Sequence, residues 1–506
     1  MDRADGFGPS GCGFKSCRAR FAKLNANSIN MASFFSKHKQ ETILGILICL
    51  YLVYFTTATF LRYDNFYTGR FDLGNMDQTV WNTINGRIFQ TSTDSGIVVS
   101  RLSGHADFIL ILLSPFYLLW SNPKMLLLIQ SIALSFGAVF VFLIARNILN
   151  SKNLAVVFGF LFLMNPAIQF TNLYDFHGVT IATTTLLASF YFLLKKKYFP
   201  LSIFLLLSGL AKEQIWLTTS IFGLFLLFKT GEKKLLGLGI MLFSLTIFVY
   251  LVWIAIPQSA EGQHFALPYY SDFGNSPGEI VKNVFLSPRE IFLIVSETNR
   301  LNYLKQLLAP LGFISLLSPI YLIFVIPDLL IKLLSNNPQL YQIYYQYSAT
   351  ITPFIFISAI FGGKQFIKWF PQIPKFHIAT YLIFCTLLSA YFFGPLPGAK
   401  DPNLDMFVLP RKNKVEIENF LSGISEEYSV AATNNLGSHL SHRQSIATIP
   451  LGVDTADYVL FLINNLNKPQ TDLQKEALIK VENNKNYIRV FEKDGFIVFK
   501  KQGNLL

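Results

Sequence analysis

Long apolar stretches separated by short polar breaks run between residues 41 and 396 of the chain. Such stretches are typical of helices that cross a bilayer, which need about 20 apolar residues. Short clusters of Lys and Arg separate some of them, as expected for cytoplasmic loops. Counting crossings between these clusters predicts about eleven transmembrane helices. They are expected near residues 43–61, 124–146, 154–171, 179–194, 199–211, 214–228, 236–256, 303–317, 319–334, 348–363 and 378–396.

The segments around these stretches complete the predicted topology. Residues 1–40 are basic and lack apolar periodicity, which predicts a disordered cytoplasmic tail. Met31 within it is a second candidate start of the native chain. The first apolar stretch is too long for a signal-peptide core and is expected to be an uncleaved anchor. Residues 62–123 and 258–302 are expected to be the outer loops of a 41–396 membrane domain.

The C-terminal segment, residues 397–506, changes character sharply. An odd number of crossings from a cytoplasmic N-terminus places it outside the cell. Its length suffices for a small α/β domain with its own core, and Asp494-Gly495 between two apolar runs predicts a β-hairpin. Helices are expected near Glu416–Leu421 and Leu473–Val481, and strands near Tyr428–Ala432, Tyr458–Ile463, Tyr487–Phe491 and Phe496–Lys500. The predicted fold class is therefore an all-α polytopic membrane protein with a small extracytoplasmic α/β domain.

Composition supports a membrane protein over a nucleic-acid-binding one. Of 506 residues, 52% are hydrophobic and only 14% are charged, which excludes an ordinary soluble protein. The net charge of +12 comes from short basic clusters between apolar stretches, the placement that the positive-inside rule describes. We therefore expect a multi-pass protein of the cytoplasmic (plasma) membrane and no nucleic-acid partner.

Polar breaks that carry both acidic and basic chemistry fall, by charge counting, on the outer side of the membrane. They are residues 71–77, 103–107, 174–177 and 212–214. A channel or scaffold has no need to gather carboxylates, imidazoles and a lysine at one boundary between water and lipid. Ionisable groups in such positions are candidates for function. The pattern favours an enzyme that acts on a substrate held at that boundary.

The first outer loop contains the sharpest motif. Apolar residues after Asp72 recur at helical spacing, which predicts an amphipathic helix at the membrane surface ending near Gly86. Asp72 stands at the predicted N-cap, where an aspartate stabilises a helix by roughly 1 kcal/mol. A purely structural role is therefore as well supported by this pattern as a catalytic one. Asp77 lies further along the same helix and is either solvated or a substrate-binding residue.

Two short triplets, His105-Ala106-Asp107 and Asp175-Phe176-His177, place an imidazole and a carboxylate two residues apart. In extended backbone such residues face the same way. The two groups can bind a divalent metal together, or the carboxylate can orient the histidine for proton transfer. The structural alternative is that each triplet caps a helix that enters the membrane.

Lys212 and Glu213 interrupt an apolar run from Phe199 to Phe228. Burying either charge in hydrocarbon costs about 3 kcal/mol. The run is therefore predicted to be a helical hairpin whose tip meets water on the outer side. Mutual neutralisation of Lys212 and Glu213 at that tip is the structural alternative to a role in binding.

Several of these motifs carry a resemblance. The stretch Phe71-Asp72-Leu73-Gly74 and the pairs Gly104-His105, Phe176-His177, Lys212-Glu213 and Gln346-Tyr347 resemble, in this order, a domain-of-unknown-function family of prokaryotic predicted polytopic membrane proteins. The resemblance covers roughly residues 45–460. That family in turn is similar to the GT-C glycosyltransferases, such as protein mannosyltransferases and aminoarabinose transferases.

The resemblance implies a GT-C-like fold, a polyprenyl-phosphate-linked sugar donor and an essential acid in the first outer loop. Asp72 matches the position of that acid, and is then the expected base. The run Gly209-Leu210-Ala211-Lys212 is similar to a stretch whose lysine lies near the lipid phosphate. The further catalytic candidates are His105, Asp175, His177 and Glu213, and the further substrate-binding candidates are Asp77, Arg101, Tyr347 and Arg443.

The resemblance also sets the expected partners. A membrane lipid that carries the polyprenyl-phosphate sugar is the donor, and an extracytoplasmic glycan, lipid or protein is the acceptor. Some branches use a divalent metal, Mg or Mn, for which Asp72, Asp175 and His177 are the candidate ligands. The alternatives are a transporter or flippase of lipids or lipid-linked sugars, although no internal repeat is evident, and a non-catalytic membrane surface protein.

Overall fold

The computed structural model describes residues 38–229, 233–463 and 471–502, and most of the expected tail, residues 1–40, lies outside them. The described chain is mostly helical, with a small C-terminal sheet. The helices are α1 (Lys39–Asp64), α2 (Asn75–Ile84), α3 (Ile109–Leu113), α4 (Lys124–Leu149), α5 (Lys152–Leu163), α6 (Pro166–Leu173), α7 (Gly178–Leu194), α8 (Tyr198–Gly209), α9 (Ile215–Lys229), α10 (Lys234–Tyr250), α11 (Ile256–Ser259), α12 (Pro277–Leu286), α13 (Pro288–Val295), α14 (Thr298–Leu308), α15 (Ile326–Leu333), α16 (Thr352–Trp369), α17 (Lys375–Phe393), α18 (Asp405–Val408), α19 (Lys414–Ser422) and α20 (Asp472–Glu482). The strands are β1 (Gln90–Ser92), β2 (Val98–Ser100), β3 (Val430–Ala432), β4 (Ile446–Thr448), β5 (Tyr458–Leu462), β6 (Tyr487–Lys493) and β7 (Phe496–Lys501).

Four helical segments in the described ranges are long and apolar enough to cross a membrane: α1, α4, α17 and the run Lys234–Ser259. The count is up to five if α5 and α6, which meet at a bend of 45°, form one broken span. Large apolar side chains on these helices are exposed, such as Leu50 at 63% and Val53 at 67% on α1. Apolar surface of this kind is stable against lipid tails rather than water.

The predicted count of about eleven spans is not confirmed. Three of the expected crossings, 179–194, 199–211 and 214–228, form the apolar helices α7, α8 and α9 close to the predicted bounds, but each has at most 17 residues, fewer than the 18 that the four long segments have or exceed. The expected spans 303–317 and 319–334 are not continuous helices. α14 ends at Leu308, and 3-10 turns that include Pro319–Val325 precede α15. Prolines in this stretch cannot donate to a helical ladder, and Gly312 and Phe313 take left-handed backbone angles that end the helix.

Helix α4 is the central element of the bundle. It packs against α1, α5, α7 and α16, and its buried face is almost wholly apolar. A Cβ on Gly137 would lie 2.7 Å from the ring of Phe162, so a larger residue there would push α5 away. The one fully buried amide on this face, Gln130, lies near the end of α4 that approaches residues 174–177.

The C-terminal sheet has the strand order β4-β3-β5-β7-β6. β3 pairs in parallel with β4 and β5, whereas β5 and β7 and then β7 and β6 pair antiparallel. The predicted hairpin around Asp494-Gly495, both predicted helices and the predicted strands are confirmed in position. β4 was not predicted, because its three residues fall in a stretch without clear alternation.

The first loop packs directly on the C-terminal sheet region. Its hairpin of β1 and β2 reaches β4 through a bridge between Ser95 and Ala447. A Cβ on Gly437 would lie 2.2 Å from the Cβ of Arg70, so the two segments approach with no room for a side chain. We call the end of the helical bundle that carries these segments the loop side.

These contacts generate a prediction about accessibility. The first loop and the C-terminal sheet touch, so both must lie on one side of the membrane, whereas Lys196 lies at the far end of α7, about 25 Å away along the helix. In a variant whose four cysteines are replaced by serine, an impermeant maleimide should label Ile88→Cys and Ile479→Cys from the same side. Labelling of Lys196→Cys from that side as well would contradict the arrangement.

Candidate functional site

Asp72 is the centre of a hydrogen-bonded group on the loop side. It lies in a π-helical turn, Arg70–Gly74, and its side chain is 28% exposed. Tyr174 Oη donates to Asp72 Oδ2 at 3.0 Å, and His177 Nε2 lies 3.1 Å from Asp72 Oδ1. The predicted N-cap role of Asp72 is wrong. The turn delays α2 until Asn75, and the residue before that helix, Gly74, makes no side-chain cap.

The imidazole of His177 is fixed in one tautomer. Its Nδ1 lies 2.9 Å from the backbone carbonyl oxygen of Asp175, which can only accept a hydrogen bond, so Nδ1 carries a hydrogen. A hydrogen bond between Nε2 and Asp72 Oδ1 then requires one proton shared by these two atoms. The ring also stacks on Tyr174 at 5.8 Å. The ring orientation therefore directs Nε2 at the carboxylate of Asp72.

Asp175 holds the segment that carries Asp72. Its carboxylate is buried, and Oδ2 accepts a hydrogen bond from the backbone N–H of Gly69 at 2.8 Å. Its Oδ1 lies 3.8 Å from Arg62 Nη2 at the end of α1. The two side chains of the triplet 175–177 therefore face different partners, and the carboxylate anchors the loop while the imidazole contacts Asp72.

A second group joins His105 to Glu213. His105 Nδ1 lies 3.0 Å from Glu213 Oε1, and the backbone N–H of Ala106 donates to Oε2 at 3.0 Å. Burial and the nearby Lys212 lower the pKa of His105 to about 4, so the imidazole is neutral and Nδ1–H donates. Burial alone would raise the pKa of Glu213, but the His105 hydrogen bond and Lys212 lower it, so the carboxylate is ionised.

The triplet 105–107 does not present its imidazole and carboxylate together, contrary to the prediction. Asp107 binds Arg101 instead, with Oδ1 at 3.0 Å from Nε and Oδ2 at 2.8 Å from Nη2. The 3-10 turn of residues 101–103 brings this guanidinium under the triplet, and a bidentate pair is the geometry that arginine and carboxylate prefer. Arg101 is thus occupied by a protein partner.

Backbone contacts bring the polar breaks together. The N–H of Ile109 donates to the carbonyl of Leu210 at 2.8 Å, which ties the segment after His105 to the segment before Lys212. A Cβ on Gly178 would lie 2.9 Å from the carbonyl oxygen of Ala211, so α7 starts directly against that same segment. All four breaks therefore meet on the loop side.

The two groups also lie close enough to act on one shared charge. Burial alone would lower the pKa of Arg101, but Asp107, Glu213 and Asp72 raise it above its ordinary value. The carboxylates of Glu213 and Asp72 both act on one guanidinium. The Arg101–Asp107 pair therefore lies within charge range of both groups.

Lys212 is partly exposed at this junction. Its charge lowers the pKa of Glu213 and, after burial, that of Lys332. Within the described ranges its ammonium forms no ion pair within 4 Å and no side-chain hydrogen bond, and Glu213 is held by His105. The structural alternative of a closed Lys212–Glu213 ion pair is therefore not observed. The lysine is available to bind an anion.

Asp77 and Arg443 are held by protein partners. Asp77 is fully buried; it accepts hydrogen bonds from Tyr117 and from Ser441 Oγ at 2.5 Å, and His442 Nε2 lies 3.2 Å from Oδ2. Arg443, also buried, donates to the carbonyls of Leu440 and Tyr428. These contacts tie α2 to the C-terminal segment, and nothing in them supports the predicted substrate-binding roles.

The residues proposed for a divalent metal contact protein groups in the described structure. Asp72 and His177 bond each other directly at 3.1 Å, and Asp175 is turned to the backbone of Gly69. In the part of the chain that the structure describes, no group of three or more His, Cys, Asp or Glu side chains could hold a metal ion. The metal expectation stays a prediction without support from this geometry.

Residues 62–498 match a family described as Predicted membrane protein (DUF2079). The chain belongs to the DUF2079 family. All of the loop-side residues named above lie within the matched range. No curated protein matches the chain.

The structure adds residues to the candidate site of this DUF2079 protein that sequence reasoning missed. Tyr174 stands directly before the triplet 175–177. Nothing in the sequence separates this tyrosine from the rest of the polar break. Gln130 accepts the N–H of His177 at 3.2 Å and donates to the carbonyl of Tyr174 at 3.1 Å. The available signal was an amide, Gln130, within the apolar first half of α4.

The Asp77–His442 contact predicts a pH dependence of stability. Burial alone would lower the pKa of His442, but Asp77 and Glu426 outweigh it and Arg443, and raise the pKa above its ordinary value near 6.5. The stabilisation is therefore fully present below pH 6.5 and lost as pH rises through the raised value. The apparent melting temperature in detergent should fall across this range, and His442→Gln should flatten that fall. His377→Gln, at an exposed position, is the control, and an unchanged profile in His442→Gln would contradict the assignment.

Proposed function

We propose that this chain is a membrane glycosyltransferase of GT-C type that moves a sugar from a polyprenyl-phosphate donor to an acceptor. The proposal places the loop side outside the plasma membrane and the N-terminus in the cytoplasm. One observation carries it. A partly exposed carboxylate, Asp72, lies 3.1 Å from His177 Nε2, on the same side of the bundle as the ammonium of Lys212, which forms no ion pair with the described residues. A base for an alcohol and a cation for a phosphate are the two groups that this transfer requires.

The chemistry follows from the pair. In the form without a proton between them, Asp72 Oδ1 and His177 Nε2 are two acceptors 3.1 Å apart, and either can accept the proton of a hydroxyl placed beside them. The acceptor hydroxyl supplies it as its oxygen forms the new bond to the anomeric carbon of the sugar. The bond from that carbon to the phosphate oxygen breaks, and its electron pair leaves with the polyprenyl phosphate.

Lys212 stabilises the leaving group in this scheme. A fixed cation at the position where negative charge develops is a large contribution to catalysis. Glu213 and His105 position the lysine, because the hydrogen bonds of Glu213 to His105 and to the backbone of Ala106 hold the connection between α8 and α9 in place. The long helices expose apolar faces to the bilayer. In this scheme the lipid tails of the donor lie against these faces, beside the site. No step uses a divalent metal.

Asp72→Asn tests the base. The amide keeps an oxygen for Tyr174, so folding should be retained, but it cannot take up the proton. Sugar transfer should fall by about 100-fold or more, the contribution of a general base. The assay incubates purified protein with a panel of polyprenyl-phosphate sugars and measures sugar release or transfer. Asp64→Asn is the matched control, since its side chain is similarly exposed, at 25%, and pairs with Lys124. If the wild-type protein releases no sugar from any donor, the transferase proposal fails and the transporter and surface-protein alternatives remain.

A double-mutant cycle tests whether Lys212 binds the donor while Glu213 pairs with His105. Because Glu213 pairs with His105, the changes Glu213→Gln and His105→Gln should be coupled in stability by about 0.5–3 kcal/mol. Lys212→Met should unfold at nearly the wild-type temperature, yet its Kd for the lipid donor should rise about tenfold or more. Strong coupling of Lys212 to Glu213 in stability, with unchanged donor affinity, would refute the phosphate role. Lys196→Met, at an exposed position, is the control.

A further inference from the structure

Three tyrosines form an aromatic surface beside Asp72, and we call Tyr344, Tyr345 and Tyr347 the tyrosine wall. Tyr344 and Tyr345 lie between two 3-10 turns that precede α16, and Tyr347 lies in the second of these turns, so backbone geometry rather than helical spacing brings the three together. The ring of Tyr345 is edge-to-face with that of Tyr344 at 5.1 Å and tilted against that of Tyr347 at 6.0 Å. Ring contacts at such distances fix the rings relative to one another.

The tyrosine wall is continuous with the Asp72 group. Tyr174, which donates to Asp72, lies edge-to-face against Tyr345 at 5.2 Å. Burial and then the charge of Asp72 raise the pKa of Tyr347 to about 12. Its hydroxyl, like that of Tyr174, therefore keeps its proton and can donate near the carboxylate.

The wall is partly open to a ligand. Tyr344 is 41% exposed, whereas Tyr345 and Tyr347 are half-buried. Gln346 between them is 5% exposed, and a side-chain hydrogen bond links it to Tyr347. The buried amide therefore helps to position the hydroxyl of Tyr347.

A pyranose ring matches this surface. It presents apolar C–H faces that pack on aromatic rings, and hydroxyls that donate and accept hydrogen bonds around its edge. Pockets with aromatic walls and a few placed polar groups are typical of specific small-ligand sites. A lipid tail would not use the hydroxyls. A protein acceptor would need a longer groove than these three rings provide.

We propose that the tyrosine wall binds a pyranose of a glycan acceptor, with a ring hydroxyl directed at Asp72. This inference rests on the proposed glycosyltransferase function and narrows its acceptor from glycan, lipid or protein to a glycan. The donor sugar is the other source of a pyranose at this place. The experiment therefore measures binding of free oligosaccharides, which carry neither lipid nor phosphate.

Saturation-transfer NMR on the full chain in detergent tests the proposal, with mannotriose, chitotriose and galactotriose as probes. We expect saturable binding of at least one trisaccharide to the wild type. Tyr344→Ala should raise its Kd about tenfold, and Tyr344→Phe should preserve it within about twofold, since the ring is retained. Tyr428→Ala is the matched control, because Tyr428 is also 41% exposed but lies on the C-terminal segment.

The outcomes separate this inference from the proposed function. Trisaccharide binding that Tyr344→Ala removes and Tyr428→Ala leaves intact supports the wall. Absence of binding to the wild type, or equal binding in Tyr344→Ala, overturns it, even if the protein releases sugar from a lipid donor. Binding through Tyr344 in a protein that releases sugar from no donor would keep the glycan site and overturn the transferase.

Discussion

The carboxylate of Asp175 holds the segment with Asp72 against the segment with His177, and the other contacts of the site depend on this attachment. Its hydrogen bond from the Gly69 backbone sets the path of the chain into the π turn that carries Asp72. Without it, the N–H of Gly69 and a buried carboxylate would both lose a partner, at a cost of about 1–3 kcal/mol or more. Gln130 then fixes the other side, because it bonds the backbone on both flanks of the same triplet.

Helices and loops have different roles in this structure. Helix α4 and its neighbours supply a rigid apolar frame, while the chemistry sits on connections where polar groups can reach water. Some connections are held by contacts that leave no room for a side chain, such as Gly178 against Ala211. The C-terminal sheet completes the frame through Asp77, whose buried contacts to Ser441 and His442 join it to α2. The sheet region therefore limits how far the first loop can move.

The candidate site was found from the sequence in outline, but its pairings were not. The rule that residues two apart face the same way predicted that His105 would act with Asp107, whereas the chain there is a turn and the two side chains bind Glu213 and Arg101. The alternative of a Lys212–Glu213 pair is not observed, because the fold brings His105 to Glu213 instead. A carboxylate bonds whichever donor the tertiary fold brings near, and sequence neighbours have no priority outside regular structure.

Hydrophobic periodicity and turn chemistry determined, by themselves, the class of the protein, the first and central long helices, and most of the C-terminal elements. The reason is that lipid-exposed helices and paired strands require residue patterns that are visible within a short stretch of sequence. The number of crossings, the helix breaks around Gly312 and the parallel pairing of β3 with β4 were decided only by tertiary structure. So was the meeting of Asp72, His177 and Tyr174, which come from two segments about 100 residues apart. Contacts across such separations depend on packing of buried surfaces that no local pattern encodes.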